Sequence, residues 1–405
     1  MVDPCWARVE GPLAPYVDGF RGELERLGYT PLTSAGHIRL MAHLSRWMIA
    51  EGLVVSALTQ ASVDVYFTRR RAAGYVNSVT GRSLRPLLEY LRRLGVAPPR
   101  TPVVAETPVE VLLARYRDYL DRERGLAATT MDLNVRLVRP FLTERAQARG
   151  DGGLDLEDLS AGEVTAFVVA ESRARPRSVK RVVTALRSLL VFLHVDGVID
   201  RPLATAVPLV AARRASGIPM GLGADQVAAM LASCDRGTAT GRRDFAVLTL
   251  LVRLGLRAGE VAGLGLGDID WRRGEITVRG KGNRHDTLPL PADVGTAIVD
   301  YLRHARPRHV QDRTVFVRAQ APYQGLTYLG VTTIVAAAGR RAGLGPVRAH
   351  RLRHSAATAM LAGGGSLQEI GQVLRHHRPL TTAIYAKVDT QVLARLARQW
   401  PGDLA

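Results

Sequence analysis

Residues 274–291 read GEITVRGKGNRHDTLPLP, with apolar and polar side chains alternating on either side of Gly280, Gly282 and Asn283. A period of two turns one face of an extended strand toward a core, and glycine with asparagine between two such runs supplies a hairpin turn. Outside this stretch the periodicity becomes helical. DQVAAMLASC (225–234) and RRDFAVLTLLVRLGL (242–256) precede it, and helical patterning resumes after about residue 326 and runs to the end. The chain is thus predicted to be mainly α, with residues 220–405 forming a mostly helical domain that contains a small antiparallel β-sheet.

Upstream of residue 220 the patterning is helical throughout, and it repeats. LTQASVDVYFTRRR from Leu58 matches LSAGEVTAFVVAES from Leu159, aligning Leu58 with Leu159, Val63 with Val164 and Tyr66 with Phe167. LRPLLEYLRRLGV from Leu84 tracks LRSLLVFLHVDGV from Leu186, aligning Leu87 with Leu189, Tyr90 with Phe192 and Gly95 with Gly197. A constant offset over two segments exceeds what shared amphipathicity supplies, so two tandem copies of one small helical domain are expected, at residues 1–100 and 106–208. Proline-rich linkers follow each copy, GVAPPRTPVVAETPVEV from Gly95 and DRPLATAVPLVAARRASGIPMGLG from Asp200. Arg213 and Arg214 in the second suit a strap over phosphates as well as they suit a solvated linker.

The 405 residues are 47% hydrophobic and 23% charged, which describes a globular chain rather than a disordered one. A formal net charge of +18 favours a polyanionic partner. No apolar run approaches the roughly 20 residues that span a bilayer, and MVDPCWARVE lacks the layout of a signal peptide. Cys5 and Cys234 show neither disulfide nor metal-site spacing. The expectation is a cytoplasmic, bacterial protein with a nucleic-acid partner and no membrane.

Three lysines, Lys180, Lys281 and Lys387, stand among the 55 lysines and arginines. Lys281 sits at the hairpin tip. Arginine keeps its proton near neutral pH whereas lysine can give one up, so a site that needs a general acid has reason to hold lysine there, although a turn lysine is ordinarily solvated. In GLRAGEVAGL, Arg257 follows Gly255 and precedes Glu260 by three residues, a spacing that lets the carboxylate hold the guanidinium; a surface ion pair has the same spacing. In AHRLRHSAATAML (349–361), His350 and Arg353 share a helical face at the start of a run made for burial. If Ala349 opens the helix, its free N–H groups add to these donors and make a phosphate cradle. LRHHRPLTTAIYAKV then supplies His376 and, nine residues on, Tyr385. A metal set built on His350, His354, His376 and His377 is disfavoured, because adjacent histidines point apart on a helix and no carboxylate or HExxH pattern accompanies them.

The ordered set Arg257, Lys281, His350, Arg353, His376 and Tyr385, carried by GLRAGE, HRLRH and the spacing that ends in TTAIY, resembles the tyrosine recombinases, or phage integrase family, over about the last three hundred residues. One departure is Arg375, where the family usually has glycine before the second histidine. The resemblance implies a site-specific recombinase, an integrase or transposase of a mobile element, that cuts and rejoins double-stranded DNA through a covalent 3′-phosphotyrosine. Arg257 and Arg353, with His350 and His376 as donors, would stabilise the phosphate charge, and Tyr385 would attack. His350 would handle the phenolic proton and Lys281 would protonate the departing 5′ oxygen. No metal ion and no other cofactor is implied.

The second helical copy looks like the family's SAM-like core-binding domain, which closes a clamp on the duplex with the catalytic domain. The first copy is expected to extend that clamp or to touch accessory DNA sites, with TRRRAAG (68–74) suited to phosphate contact or to plain solvation. A homotetramer on synapsed DNA is implied, with TQVLARLARQW (390–400) docking on a neighbour or packing in cis, and there is room for an accessory recombinase or a directionality factor. A type IB topoisomerase shares the catalytic set, and a non-catalytic DNA-binding protein shares the basic surface. Both stay open at this point.

Overall fold

The computed structural model describes residues 7–99, 107–149, 153–176, 178–209, 221–280, 284–308, 310 and 312–375. The chain forms two compact units, one of Arg100–Ser216 and one of Met1–Pro99 together with Gly217–Ala405.

The first segment is helical: α1 (Val17–Arg26), α2 (Pro31–Ala50), α3 (Gln60–Ala72) and α4 (Gly81–Arg93). Its core is built from Phe20, Leu24, Ile38, Met41, Leu44, Val63, Tyr66, Leu87 and Leu91 among others. The second segment repeats the order with α5 (Pro108–Arg122), α6 (Ala128–Arg149), α7 (Ala161–Ala174) and α8 (Val179–Val195) around its own core. The positions paired in the sequence have the following surroundings. Thr59 and Ser160 both cap the following helix by accepting an N–H three residues on. Leu58, Val63, Tyr66 and Leu87 are buried, as are Leu159, Val164, Phe167 and Leu189. Gly95 and Gly197 end their helices at φ 73° and 71°, a left-handed conformation that glycine adopts without a Cβ clash. The arginines of TRRRAAG are held within the first segment: Arg69 pairs with Glu51, Arg70 lies 4.0 Å from the Tyr75 ring centroid, and Arg71 donates to Val79 O at 3.2 Å.

The third segment opens with α9 (Ala224–Ala232), α10 (Ala239–Arg253) and the short α11 (Ala258–Ala262). Strands β1 (Ile269–Asp270), β2 (Glu275–Arg279) and β3 (His285–Pro289) then form an antiparallel sheet in the order β1-β2-β3, with Ile276 opposite Leu288 and Val278 opposite Asp286. Ile276, Val278 and Leu288 face inward while the residues between them are more open, as the alternation required. A helix absent from the sequence expectation follows, α12 (Ala292–His304), which packs on α10. Its buried Val294, Ala297, Ile298 and Tyr301 fall at i, i+3, i+4 and i+7, a single apolar stripe. Then come α13 (Tyr328–Arg341), α14 (Ala349–Ala362) and the seven-residue α15 (Leu367–Val373).

The first and third segments touch within their shared unit. Tyr323 N–H donates to Leu27 O at 3.2 Å, and the Tyr323 ring lies so close over Gly28 that a Cβ there would stand 2.1 Å from it. Cys234 is buried with its thiol free, and Cys5 lies outside the described residues. No described helix is long and apolar enough to cross a membrane.

Candidate active site

Helix α10 ends on an apolar face, and the chain must turn sharply to start α11. Gly255, at φ 57°, makes that turn where a Cβ would come within 2.5 Å of the Leu374 side chain. The turn is thereby pressed against the segment that leads out of α15. Arg257 follows as the residue before α11, and Glu260 reaches back to it twice, accepting its backbone N–H at 2.8 Å and a guanidinium N–H at 2.7 Å. The Glu260 side chain is only 4% exposed while that of Arg257 is 44% exposed. A buried carboxylate holding a half-open guanidinium is not the loose surface pair that the spacing also allowed. It aims a fixed cation at solvent.

Helix α14 does begin at Ala349, with Arg348 before it in an extended conformation and no side-chain cap. The apolar half of the helix anchors it: Leu352, Ala356 and Ala357 are buried, and Ser355 Oγ accepts the Leu222 N–H at 2.6 Å. At the polar start the structure departs from the cradle expected of His350 and Arg353. His350 is exposed, but Arg353 is 2% exposed and turns inward. Its guanidinium donates to Gly255 O at 2.5 Å and to Leu374 O, so it stitches α14 to the Arg257 turn and to the end of α15. Sharing a helical face sets the direction of a Cβ, and a side chain as long as arginine follows its hydrogen-bond partners instead.

These groups act on one another electrically. Partial withdrawal from water, then the charges of Arg353 and Arg257, hold the His350 imidazole below its ordinary pKa. His354 packs edge-on against it, with ring centroids 4.3 Å apart, and burial, His350 and Arg353 bring its pKa down to about 4. Both rings are therefore neutral at neutral pH, and His350 is a proton acceptor beside two guanidinium groups. Because the folded chain binds these protons more weakly than the unfolded one, stability should be full above pH 6.5 and fall as pH drops from 6.5 toward 4. In thermal melts across that window, His354→Gln is expected to flatten the decline; an unchanged slope would contradict the assignment.

Reasoning from the sequence missed one member of the cluster. Arg375 stood out there only as a substitute for glycine. In the structure it takes a left-handed φ of 55°, its side chain is 5% exposed, and it donates to the second Glu260 oxygen at 2.6 Å. Burial, ahead of the opposing pull of Glu260, lowers its pKa from the usual arginine range. Asp286 of β3 lies 3.9 Å from its Nε. No periodicity marks such a residue; its signal is a charged side chain placed immediately after the buried Leu374.

The structure thus brings together Arg257, His350 and Arg353. Lys281, His376 and Tyr385 lie outside the described residues, as do Arg213, Arg214 and the stretch 390–400. On the hairpin the chain is described up to Gly280, whose N–H donates to Arg284 O at 2.7 Å. Among the described residues no three metal-ligating side chains converge.

Residues 221–392 match the model of the phage integrase family. The chain is 41% identical over 400 residues to a putative integrase/recombinase, y4rA, of Sinorhizobium fredii (strain NBRC 101917 / NGR234), covering 97% of this chain and 96% of that one. It is 31% identical over 294 residues to the tyrosine recombinase XerD of Listeria monocytogenes serotype 4b (strain F2365), covering 71% and 98%. A crystal structure of the XerH site-specific recombinase bound to a palindromic difH substrate, a post-cleavage complex, shares the fold with a TM-score of 0.54 at 18% identity, over 84% of this chain and 95% of that one.

Proposed function

This chain belongs to the phage integrase family and is a tyrosine-type site-specific recombinase, and on that premise we propose that it is the recombinase of a mobile element, joining itself to double-stranded DNA through Tyr385. A phosphodiester resists attack because its charge repels nucleophiles and the transition state gathers more charge on the equatorial oxygens. Arg257 and Arg353, helped by His350 and His376, offset that charge with fixed donors. The Tyr385 oxygen attacks phosphorus, His350 accepts the phenolic proton, and the bond from phosphorus to the 5′ oxygen breaks as Lys281 supplies a proton to it. The 3′-phosphotyrosyl ester keeps the bond energy, so the 5′ hydroxyl of another strand can reverse the step without ATP.

What supports this reading is the trio of Arg257, Arg353 and His350, in which burial first, and then two guanidinium charges, hold the imidazole below its ordinary pKa beside a cation locked on Glu260. The net charge of +18 supports a DNA partner. Following the family resemblance, the chain acts as a homotetramer on two synapsed duplexes, with residues 106–208 as the core-binding domain and 220–405 as the catalytic domain.

The test sequences the DNA flanking the gene for direct or inverted repeats, builds nicked duplexes from them and incubates these with the full chain in EDTA. Expected is a covalent protein–DNA adduct whose peptide carries the 3′-phosphate on Tyr385. A gel shift without an adduct would leave only DNA binding, and an adduct that needs added Mg²⁺ would contradict a mechanism run by protein cations alone.

A further inference from the structure

Arg375 is an expensive residue to keep where it is. A non-glycine side chain at positive φ costs about 1 kcal/mol, and a guanidinium buried to 5% exposure gives up its water. Glycine would avoid both costs, and Arg375 Nε is left buried without a hydrogen bond. What the side chain does instead is occupy Glu260. That carboxylate has two oxygens and three donors around it. Oε2 takes the Arg257 backbone N–H at 2.8 Å and Arg375 at 2.6 Å, which leaves Oε1 for the Arg257 guanidinium at 2.7 Å. A carboxylate with both oxygens open favours the two-pronged fork of a neighbouring arginine. Here Arg375 blocks the second prong, and the Arg257 side chain remains 44% exposed.

We propose that Arg375 is a positioning residue for strand cleavage: by holding Oε2 of Glu260 it keeps Arg257 bound through one prong and turned toward the scissile phosphate. Asp286 steadies the other edge of the Arg375 guanidinium from β3, and Arg375 donates to Val373 O at 3.3 Å, so its fork is fixed from three directions. In Arg375→Gly the Arg257 fork closes on both Glu260 oxygens and withdraws from the DNA.

This inference rests on the proposed cleavage chemistry, and the experiment separates the two. Adduct formation is timed for the parent chain, Arg375→Gly, Arg375→Lys and Arg257→Ala on two duplexes, one with the ordinary scissile phosphate and one with a methylphosphonate, which is uncharged and needs little cationic help. Arg375→Gly is expected to melt within a few degrees of the parent and to bind DNA equally, yet to react about 10–100-fold more slowly on the phosphate, the cost of a small misplacement. On the methylphosphonate that deficit should shrink to within a few-fold, as for Arg257→Ala, and Arg375→Lys should fall between parent and glycine variant on the phosphate. An equal deficit on both duplexes would mean a general structural role and overturn the proposal, as would parent-like rates on the phosphate. Failure of the parent chain itself to form an adduct on either duplex would instead overturn the cleavage chemistry, and this proposal with it.

Discussion

Tyr385→Phe is expected to bind its DNA site as tightly as the parent chain and to form no covalent adduct, a loss of strand cleavage on the order of 10⁵-fold or more, as befits removal of the proposed nucleophile. The substitution takes away one hydroxyl and leaves the charge of the protein unchanged. Affinity that rests on many phosphate contacts, and falls steeply with salt for that reason, should hardly register it. Chemistry should register nothing else. A phenol with a pKa near 10 is a weak nucleophile at neutral pH, and the trio of Arg257, Arg353 and His350 is useful only if an oxygen is there to be deprotonated and attack. The two readouts are a gel shift at several salt concentrations and a denaturing gel that retains covalent adducts. An adduct in the phenylalanine variant would assign the nucleophile to another residue and undo the roles given to His350 and Lys281 together.

Much of the architecture was legible because it follows from short-range periodicity. The hairpin was announced by alternation around Gly280, Gly282 and Asn283, and Gly95 and Gly197 each marked the end of a helix. Helix α12 escaped although its stripe of Val294, Ala297, Ile298 and Tyr301 is regular, because the strand-like run before it draws attention to itself and Pro291 suggests an interruption where it is in fact the N-cap residue just ahead of the helix. Of the candidate site, the described Arg257, His350 and Arg353 were legible as residue types and spacing, and less so as directions. Arg257 and Glu260 are three apart along one chain, so their pairing could be read locally. The partners of Arg353 are carbonyls 98 and 21 residues away, at Gly255 and Leu374, and nothing in a helical face discloses them. Arg375 is harder still, since its place depends on a backbone conformation that arginine rarely adopts and on a carboxylate 115 residues earlier.

Arg353 fastens the site, and in the proposed mechanism it also charges it, so Arg353→Ala should produce two losses that can be read apart. Two buried carbonyls lose their donors, at about 1–3 kcal/mol each, and a melting point lower by about 5 °C or more follows. Cleavage at a temperature well below that melting point should still drop about 10³-fold, the scale seen when one fixed donor is withdrawn from a developing anion. Arg353→Lys restores the charge but not the fork, since a single ammonium cannot reach both Gly255 O and Leu374 O in the same planar geometry. It should therefore recover more of the rate than of the stability. A third readout ties the charge to the base. Arg353 is one of the cations that depress the His350 pKa, so in Arg353→Ala the acid limb of the cleavage profile should move upward toward pH 6.5, whereas in Arg353→Lys it should stay near that of the parent. If the alanine variant cleaves within tenfold of the parent and its acid limb does not move, Arg353 is a structural fastener alone, and the stabilisation of the phosphate falls to Arg257 and the histidines.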